Sequence, residues 1–340
     1  MMIVRESIKH ILVIKLGGLG DVFLSTIVID NLLAHFSSAC LDYFVDKQGK
    51  EAIIHDKRVR SVFVLDKDVS NPLRVIREVR KGKYDLVVDL FGNPRSGIIT
   101  YLSGAAFRVG LDYGWRKHLY SIVGTVDRAN MHGAEVNLQA LNAMKIPIMS
   151  RSVRFPLSYE DVKYADEFWS KNDLHGKFVV SLLPAGSWPS KKCEPEKFAE
   201  IASVIAARYS ATIIIVWGPT DEREAIEIKE RTPDAILAPK ATLSQNLSLL
   251  ERGSATIAND SGPMHLASGF STPILCLYGP TFPDGPYGTI HSWVRHEGLD
   301  CLVCNHLQCP IQHQCMRDLP IGSVLAAFDA MISKAGIRRN

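Results

Sequence analysis

The chain has no hydrophobic segment long enough to cross a membrane. Residues 1–10 include several charged side chains, and the apolar run over residues 11–16 ends after six residues in glycines and Asp21. A membrane-spanning helix needs about 20 apolar residues, and a secretory signal needs an apolar core followed by a cleavage site. Neither pattern fits, so we expect a cytoplasmic protein.

A strong net charge and an even set of cysteines are also missing. The formal net charge of +3 is too small to predict nucleic-acid binding. Seven cysteines without a secretory signal argue against a disulfide framework. Hydrophobic residues make up 46% and charged residues 22% of the chain, which is typical of a soluble globular enzyme.

The common nucleotide-binding glycine patterns are absent as well. The turn at residues 17–20 matches neither G-x-G-x-x-G nor G-x-x-x-x-G-K-[ST], so it gives no support for dinucleotide or ATP binding. It lies between a predicted strand over 11–16 and a predicted helix over 21–36. Asp21 therefore falls at the carboxyl end of a strand, where α/β sheets bind ligands, although a carboxylate also suits a helix start by itself.

Strand and helix patterns alternate along the 340 residues, which predicts an α/β fold of two domains. The periodicity breaks over residues 147–156, where we place the linker. We expect one domain over 1–152, a second over 153–318, and a terminal helix within 319–340 that packs back on the first domain.

The most informative stretch runs from Ala255 to Pro280. It predicts a strand over 255–258, a polar turn, a helix that begins at Pro263 with Gly262 as its N-cap, and a second strand over 273–278. The amide groups of Gly262, Met264 and His265 would then lie at the positive end of a helix dipole, where a phosphate or diphosphate binds.

Two side chains in the same turn leave alternatives open. Asp260 is suited to hydrogen bonds with hydroxyl groups of a sugar or ribose. Asp260 and Ser261 are equally suited to capping the helix without any ligand.

The motif Asn259–Ala267, followed by a strand and Gly279-Pro280-Thr281, resembles the donor-site signature of glycosyltransferase family 9, the heptosyltransferases that build the lipopolysaccharide inner core. The strand, Gly-Asp pair and helix at residues 11–36 resemble the start of that family. The loop over residues 184–193 and the proline-led helix after it resemble another of its signatures. The resemblance implies a GT-B fold, in which two Rossmann-like parallel-sheet domains face a cleft, with the acceptor in the first half and the donor in the second.

The resemblance also implies roles for individual residues. Asp21 matches the family's catalytic base, and Lys191 matches the lysine on the donor phosphate, where a cation stabilises the departing diphosphate. Lys192 adjoins Lys191, so the sequence leaves open which ammonium contacts the phosphate. The residues expected to bind the donor are Gly18, Gly20, Ser187, Lys192, Glu222, Asp260, Ser261, Gly262, Pro263, Met264 and His265.

Basic residues in the first half are candidates for the acceptor. Arg95, in a loop that follows a predicted strand, and Arg116 would contact an anionic acceptor, or would be ordinary surface arginines. Arg74, Arg77 and Lys81 share one face of a predicted helix, which indicates a solvated face or a site for anionic lipid.

Two possible metal-binding patterns occur in the chain. Asp66-Lys67-Asp68 has D-x-D spacing, but its polar surroundings favour a solvated loop. Cys301, Cys304, Cys309 and Cys315 have spacing that suits tetrahedral zinc, yet similar cysteines occur in many members of the family without being needed for transfer. We expect no cofactor and no metal ligand in the reaction.

The resemblance thus implies an inverting, metal-independent transfer of heptose from ADP-heptose to a lipopolysaccharide inner-core acceptor. The partners would be the ADP-heptose donor, an anionic lipid-linked saccharide and, peripherally, the cytoplasmic face of the inner membrane, with no nucleic acid. Two alternatives stay open: a transferase or epimerase of the same fold that uses a UDP-linked sugar, and a non-catalytic sugar-nucleotide binding protein.

Overall fold

A computed structural model of the chain describes residues 3–65 and 72–337. The chain divides into two compact units, Met1–Phe155 and Pro156–Asn340. The division falls within the predicted linker. Asp66-Lys67-Asp68 lies outside the described residues. Among the described residues, no helix is both long enough and apolar enough to span a bilayer.

The described part of the first unit contains one six-stranded parallel sheet with the order β3-β2-β1-β4-β5-β6. Its strands are β1 His10–Lys15, β2 Cys40–Asp46, β3 Ser61–Leu65, β4 Leu86–Asp89, β5 Phe107–Leu111 and β6 Ile122–Gly124. Its helices are α1 Leu19–Ser25, α2 Ile27–His35, α3 Pro72–Lys81, α4 Pro94–Leu102 and α5 Gly133–Ala143. The predicted helix over 21–36 is therefore two helices, which meet at Thr26.

Residues 156–337 repeat the same plan. Their six-stranded parallel sheet has the order β12-β11-β10-β7-β8-β9. The strands are β7 Val179–Leu183, β8 Thr212–Ile215, β9 Ile236–Leu237, β10 Ala255–Asn259, β11 Ile274–Tyr278 and β12 Ser292–Arg295. The helices are α6 Tyr159–Lys171, α7 Pro195–Tyr209, α8 Glu222–Arg231, α9 Leu243–Arg252, α10 Gly262–Ala267, α11 Gln314–Arg317 and α12 Ile321–Lys334.

The central strands form because their side chains are apolar on both faces. Every residue of β7, β10 and β11 is buried, as expected for parallel strands that helices cover on both sides. The prediction of an α/β fold with two Rossmann-like parallel sheets is confirmed.

The strand order gives each sheet one switch point, where consecutive connections leave in opposite directions. In the first unit it lies between β1 and β4, and in the second between β7 and β10. Ligands of open α/β sheets bind in the crevice outside the carboxyl ends of such strands. The loops that follow these four strands are therefore the places to look for a site.

The terminal helix α12 is part of the core of the second unit. Val324, Phe328, Met331 and Ile332 of α12 are buried in the hydrophobic core of the second unit. The Phe328 ring meets the Tyr209 ring of α7 edge-on, with centroids 5.1 Å apart. The helix thus packs on α7, β11 and β12 of its own unit. Its packing on the first domain stays a prediction.

Replacing Phe328 with alanine should lower the free energy of unfolding of the second unit by about 3–5 kcal/mol, because a fully buried aromatic ring is lost and a cavity is left. Urea unfolding followed by tryptophan fluorescence measures the change. Ser333→Ala, at an exposed position of the same helix, is the control. A loss of less than about 1 kcal/mol for Phe328→Ala would contradict this packing.

Candidate functional site

Asn259 fixes the loop at the switch point of the second unit. It is the last residue of β10 and is fully buried. Its Nδ2 donates to the Pro184 carbonyl oxygen at 3.0 Å, and its Oδ1 accepts from the Cys193 amide at 3.0 Å. One side chain therefore ties both ends of the loop 184–193 to the end of β10. Sequence reasoning assigned no role to Asn259.

Asp260, the next residue, is the centre of a cluster of polar contacts. It is 9% exposed. The Lys191 Nζ lies 2.6 Å from Asp260 Oδ2, and the Thr281 hydroxyl donates to the same oxygen at 2.9 Å. His265 Nε2 lies 3.6 Å from Asp260 Oδ1. The structure thus brings together three residues predicted to bind the donor, and it adds Thr281.

The charge of Asp260 follows from these contacts. Burial by itself favours the neutral acid, but the His265 side chain and the Lys191 ammonium outweigh burial and hold the pKa of Asp260 well below its usual range. Asp260 is therefore an ionised carboxylate in a nearly buried position. Lys191 also lies 5.0 Å from the centre of the Trp188 ring, which restricts where the ammonium can move.

Lys192 points to a different set of partners. Its Nζ lies 2.8 Å from Asp221 Oδ1 and 2.8 Å from Glu224 Oε1. Burial opposes the charge, but these two carboxylates outweigh it and raise the pKa of Lys192. The two neighbouring lysines are therefore distinguished by geometry, because Lys191 reaches Asp260 while two carboxylates neutralise Lys192.

The start of α10 differs from the prediction by one residue. Ser261, not Gly262, is the N-cap, and Pro263 is the second residue of the helix. The Ser261 hydroxyl accepts from the Met264 amide at 3.4 Å, and the Ser261 carbonyl accepts from the His265 amide at 3.2 Å. Serine is a better cap than glycine because its side-chain oxygen takes up such an amide. Two of the three amides predicted to bind a phosphate thus already have acceptors.

Two other predicted donor residues lie outside this cluster of contacts. Glu222 is the first residue of α8 and is exposed. Glu224, two positions later, is the glutamate that reaches Lys192. Ser187 is exposed in the loop 184–193.

Asp21 lies at the corresponding edge of the first unit. It is the third residue of α1, whose N-cap is Gly18, and its side chain is exposed while Gly20 is buried. A Cβ atom at Gly17 would lie 3.1 Å from Asp21 Oδ2 and 3.0 Å from its Cβ. Asp21 thus folds back over Gly17, which accounts for a glycine at that position.

A buried lysine lies close to Asp21. Lys15 ends β1, is 5% exposed, and donates to the Leu90 carbonyl at 3.1 Å and to Asn137 Oδ1 at 3.4 Å. Burial lowers the pKa of Lys15, and the nearby Asp21 carboxylate partly offsets that effect. Sequence reasoning assigned no role to Lys15. A charged residue at the end of an otherwise apolar strand was the available signal.

The loop after β4 is shaped by Asp89, which is fully buried. Asp89 accepts from the Tyr120 hydroxyl at 2.7 Å and from the amides of Phe91 and Gly92 at 3.0 and 2.9 Å. Burial raises the pKa of Asp89, although these hydrogen bonds oppose the rise. The carboxylate therefore has a structural role, since its oxygens are occupied by the loop.

The two candidate acceptor arginines are placed differently. Arg95 is exposed in the first turn of α4. Arg116 is half-buried, with its guanidinium 5.7 Å from the centre of the Tyr113 ring, and its Nε is a buried atom that makes no hydrogen bond. Arg128 lies over the same ring at 4.9 Å. The Tyr113 ring also lies against Gly92, so two cations are held beside the loop after β4.

The four late cysteines line one cavity of about 310 Å³, together with His306 and His313. All four are free thiols. Burial and the neighbouring cysteines raise the pKa of Cys315 to about 12. Among the residues that the structure describes, no three His, Cys, Asp or Glu side chains are grouped to hold a metal ion.

The same cysteine-rich segment supports the loop that carries Lys191. The His306 carbonyl accepts from the Ser190 hydroxyl at 2.5 Å, and His313 Nε2 lies 2.7 Å from the Ser190 carbonyl oxygen. His313 Nδ1 lies 2.6 Å from Glu194 Oε1, and this contact raises the pKa of His313. The segment therefore positions the residue that precedes Lys191.

Replacing Asp260 with asparagine should lower the free energy of unfolding at pH 7 by about 2 kcal/mol, because Lys191 loses its charged partner. The folded state depresses the pKa of Asp260, so its contribution is complete above the unfolded value of 3.8 and is lost as the pH falls further. Urea unfolding of both proteins from pH 7 to pH 3 tests this. A difference that stays constant below pH 4 would contradict the charge assigned to Asp260.

Proteins with similar sequences and folds indicate the family to which this chain belongs. The chain is 24% identical to lipopolysaccharide heptosyltransferase 1 of Campylobacter coli, over 80% of this chain and 84% of that protein. The fold is similar to that of the glycosyltransferase family 9 protein of Veillonella parvula DSM 2008, with a TM-score of 0.79, 22% identity and coverage of 97% and 99% of the two chains.

A second solved structure shares the fold. E. coli ADP-heptose lipopolysaccharide heptosyltransferase II has a TM-score of 0.73 at 19% identity, over 96% of this chain and 99% of that one. The predicted GT-B fold class is thereby confirmed. The family model for glycosyltransferase family 9 (heptosyltransferase) matches residues 72–314, which include the loop 184–193 and the Asp260 turn. The chain belongs to glycosyltransferase family 9, the heptosyltransferase family, and is a glycosyltransferase.

Proposed function

We propose that this enzyme transfers heptose from ADP-heptose to a lipopolysaccharide inner-core acceptor, with inversion at the anomeric carbon. The observation that carries the proposal is the Lys191–Asp260–Thr281 cluster at the switch point of the second unit. Relatives of the same family are named for this chemistry, and one solved neighbour is named for ADP-heptose.

The donor would be held mainly by side chains. The Lys191 ammonium has three donor hydrogens, and Asp260 engages one of them, so the others are suited to diphosphate oxygens. The ionised Asp260 is suited to accept hydrogen bonds from hydroxyl groups of the sugar or ribose. Two of the predicted helix amides already have acceptors. The diphosphate would therefore be bound by Lys191 and not by the helix terminus.

Asp21 would act as the general base. The acceptor oxygen attacks the anomeric carbon, its proton passes to the Asp21 carboxylate, and the bond from that carbon to the diphosphate oxygen breaks. A single displacement of this kind inverts the anomeric configuration. Lys191 would stabilise the charge that builds on the departing ADP, so the step draws on a cation that the chain itself supplies.

The acceptor in the proposed reaction would be an anionic, lipid-linked saccharide. Arg116, whose guanidinium lies over the Tyr113 ring, and the exposed Arg95 are suited to its phosphate or carboxylate groups. A lipid-linked acceptor would bring the enzyme to the cytoplasmic face of the inner membrane.

Asp21→Asn should lower kcat by about 1,000-fold and leave the affinity for ADP unchanged, because the amide cannot accept the proton while the donor site is intact. Steady-state release of ADP and calorimetric titration with ADP measure the two quantities. Glu51→Gln, which removes another exposed carboxylate of the first unit, is the control and should keep full activity. Retained turnover in Asp21→Asn would refute the base assignment.

Lys191→Met should weaken ADP binding by about 10- to 100-fold, because it removes a charged contact to the diphosphate. Lys192→Met is the matched control. It should affect stability more than ADP affinity, because it leaves Asp221 and Glu224 without their cation. Titration of both variants and of the wild type with ADP and with UDP measures the contribution of each lysine to affinity and the preference for adenine or uracil. Equal losses in the two variants, or a preference for UDP, would contradict the proposal.

A further inference from the structure

The outer face of α4 is apolar although it is exposed. Ile98 is 44% exposed, Tyr101 53% and Leu102 37%, and their spacing places them along one side of the helix. The opposite side, with Ile99 and its neighbours, packs into the core of the first unit. The exposed side therefore contributes nothing to that core. It leaves three large apolar side chains in contact with water, which is unfavourable.

Basic residues flank this stripe on the neighbouring helix. α3 packs beside α4. It carries four basic residues against one acidic residue, Glu78, whose carboxylate is paired with Lys81 at 2.8 Å. The four are all exposed: Arg74, Arg77, Arg80 and Lys81.

The short helical turn over residues 114–119 flanks α4 as well. It presents Trp115, which is 59% exposed, and the exposed side chains of Lys117 and His118. Lys117 also lies 3.4 Å from Asp112, the acidic residue on that side. We call α3, the outer face of α4 and this turn the basic-apolar surface.

We propose that the basic-apolar surface docks on an anionic phospholipid bilayer. This inference rests on the proposed function, because it names the surface through which the enzyme reaches a lipid-linked acceptor. Isoleucine and leucine would enter the boundary of the acyl chains. Tryptophan and tyrosine would lie at the headgroup level, and the arginines would attract anionic headgroups.

Charge complementarity favours a bilayer as the occupant. The second unit provides a comparison in α6, where Tyr159 and Val162 form a similar exposed apolar pair, 78% and 40% exposed. That helix carries four acidic residues, Glu160, Asp161, Asp166 and Glu167, against two lysines. The acidic side chains of α6 would be repelled by an anionic membrane, whereas the exposed apolar residues of α4 lie beside basic residues.

The position of α4 also fits this role. The helix begins directly after the loop that leaves β4 at the switch point, and Arg95 stands in its first turn. A membrane that contacts the outer face of α4 would therefore present an embedded acceptor next to the edge at which Asp21 and the β4 loop lie.

The test is co-sedimentation of the full chain with lipid vesicles, either of phosphatidylcholine alone or of phosphatidylcholine with phosphatidylglycerol. The wild type should bind only the vesicles that contain phosphatidylglycerol, and added salt should weaken the binding. The triple variant Arg74→Gln/Arg77→Gln/Arg80→Gln should bind on the order of 100-fold more weakly. Ile98→Gln/Tyr101→Gln should lose on the order of 10-fold or more.

The matched control is Tyr159→Gln/Val162→Gln, which removes the exposed pair of α6 and should bind vesicles like the wild type. All three variants should still transfer the sugar to a water-soluble core saccharide that lacks the lipid. A wild type that does not bind anionic vesicles, or equal losses in the variants of α4 and α6, would overturn the proposal. So would self-association through α4 in the absence of lipid, detected by sedimentation velocity and abolished by Ile98→Gln/Tyr101→Gln.

The same measurements separate this inference from the proposed function. Vesicle binding by a protein that transfers no heptose would support the surface and overturn the proposed reaction. Transfer to the soluble saccharide without vesicle binding would support the reaction and overturn the surface.

Discussion

The ion pair between Lys191 and Asp260 is the interaction on which the site of the second unit depends. A carboxylate that is 9% exposed stays ionised only with charged or hydrogen-bonding partners, and Asp260 has them in Lys191, His265 and Thr281. Lys191 comes from the loop after β7, which is distant in sequence, whereas His265 lies in the helix that directly follows Asp260 and Thr281 lies just after β11. The pair therefore needs the parallel sheet that brings the carboxyl ends of β7, β10 and β11 together.

The two sheets share one strand order, so each unit has a switch point with its own polar residues. In the first unit, a buried lysine at the end of β1 lies close to an exposed aspartate, and a buried aspartate at the end of β4 shapes the neighbouring loop. In the second, the loop after β7 supplies a lysine to an aspartate just after β10. One fold thus provides an exposed carboxylate in one unit and a paired ammonium in the other, the two groups that the proposed transfer requires.

Local sequence patterns predicted the strands, the helices and the motif residues. Contacts between residues far apart in the chain could not be predicted from such patterns. The parallel strands and the positions of Asp21, Lys191 and Asp260 follow from apolar runs, turn glycines and a resemblance over short motifs. The partners of Lys192 and the ties made by Asn259 join residues far apart in the chain, and no local pattern encodes them. The predicted N-cap of α10 was wrong by one residue, because Ser261 is a better cap than Gly262. The contacts of α12 within the second unit could not be read from its apolar face alone, because such a face does not identify the core that it joins.

The most direct test of this account is a double-mutant cycle on Lys191 and Asp260, read out as the affinity for ADP by calorimetry. If the pair acts as a unit that presents the ammonium to the diphosphate, Lys191→Met, Asp260→Asn and the double variant should lose similar affinity, with a coupling of about 1 kcal/mol or more. If the losses of the single variants simply add in the double variant, the two side chains act independently, and the central claim is contradicted.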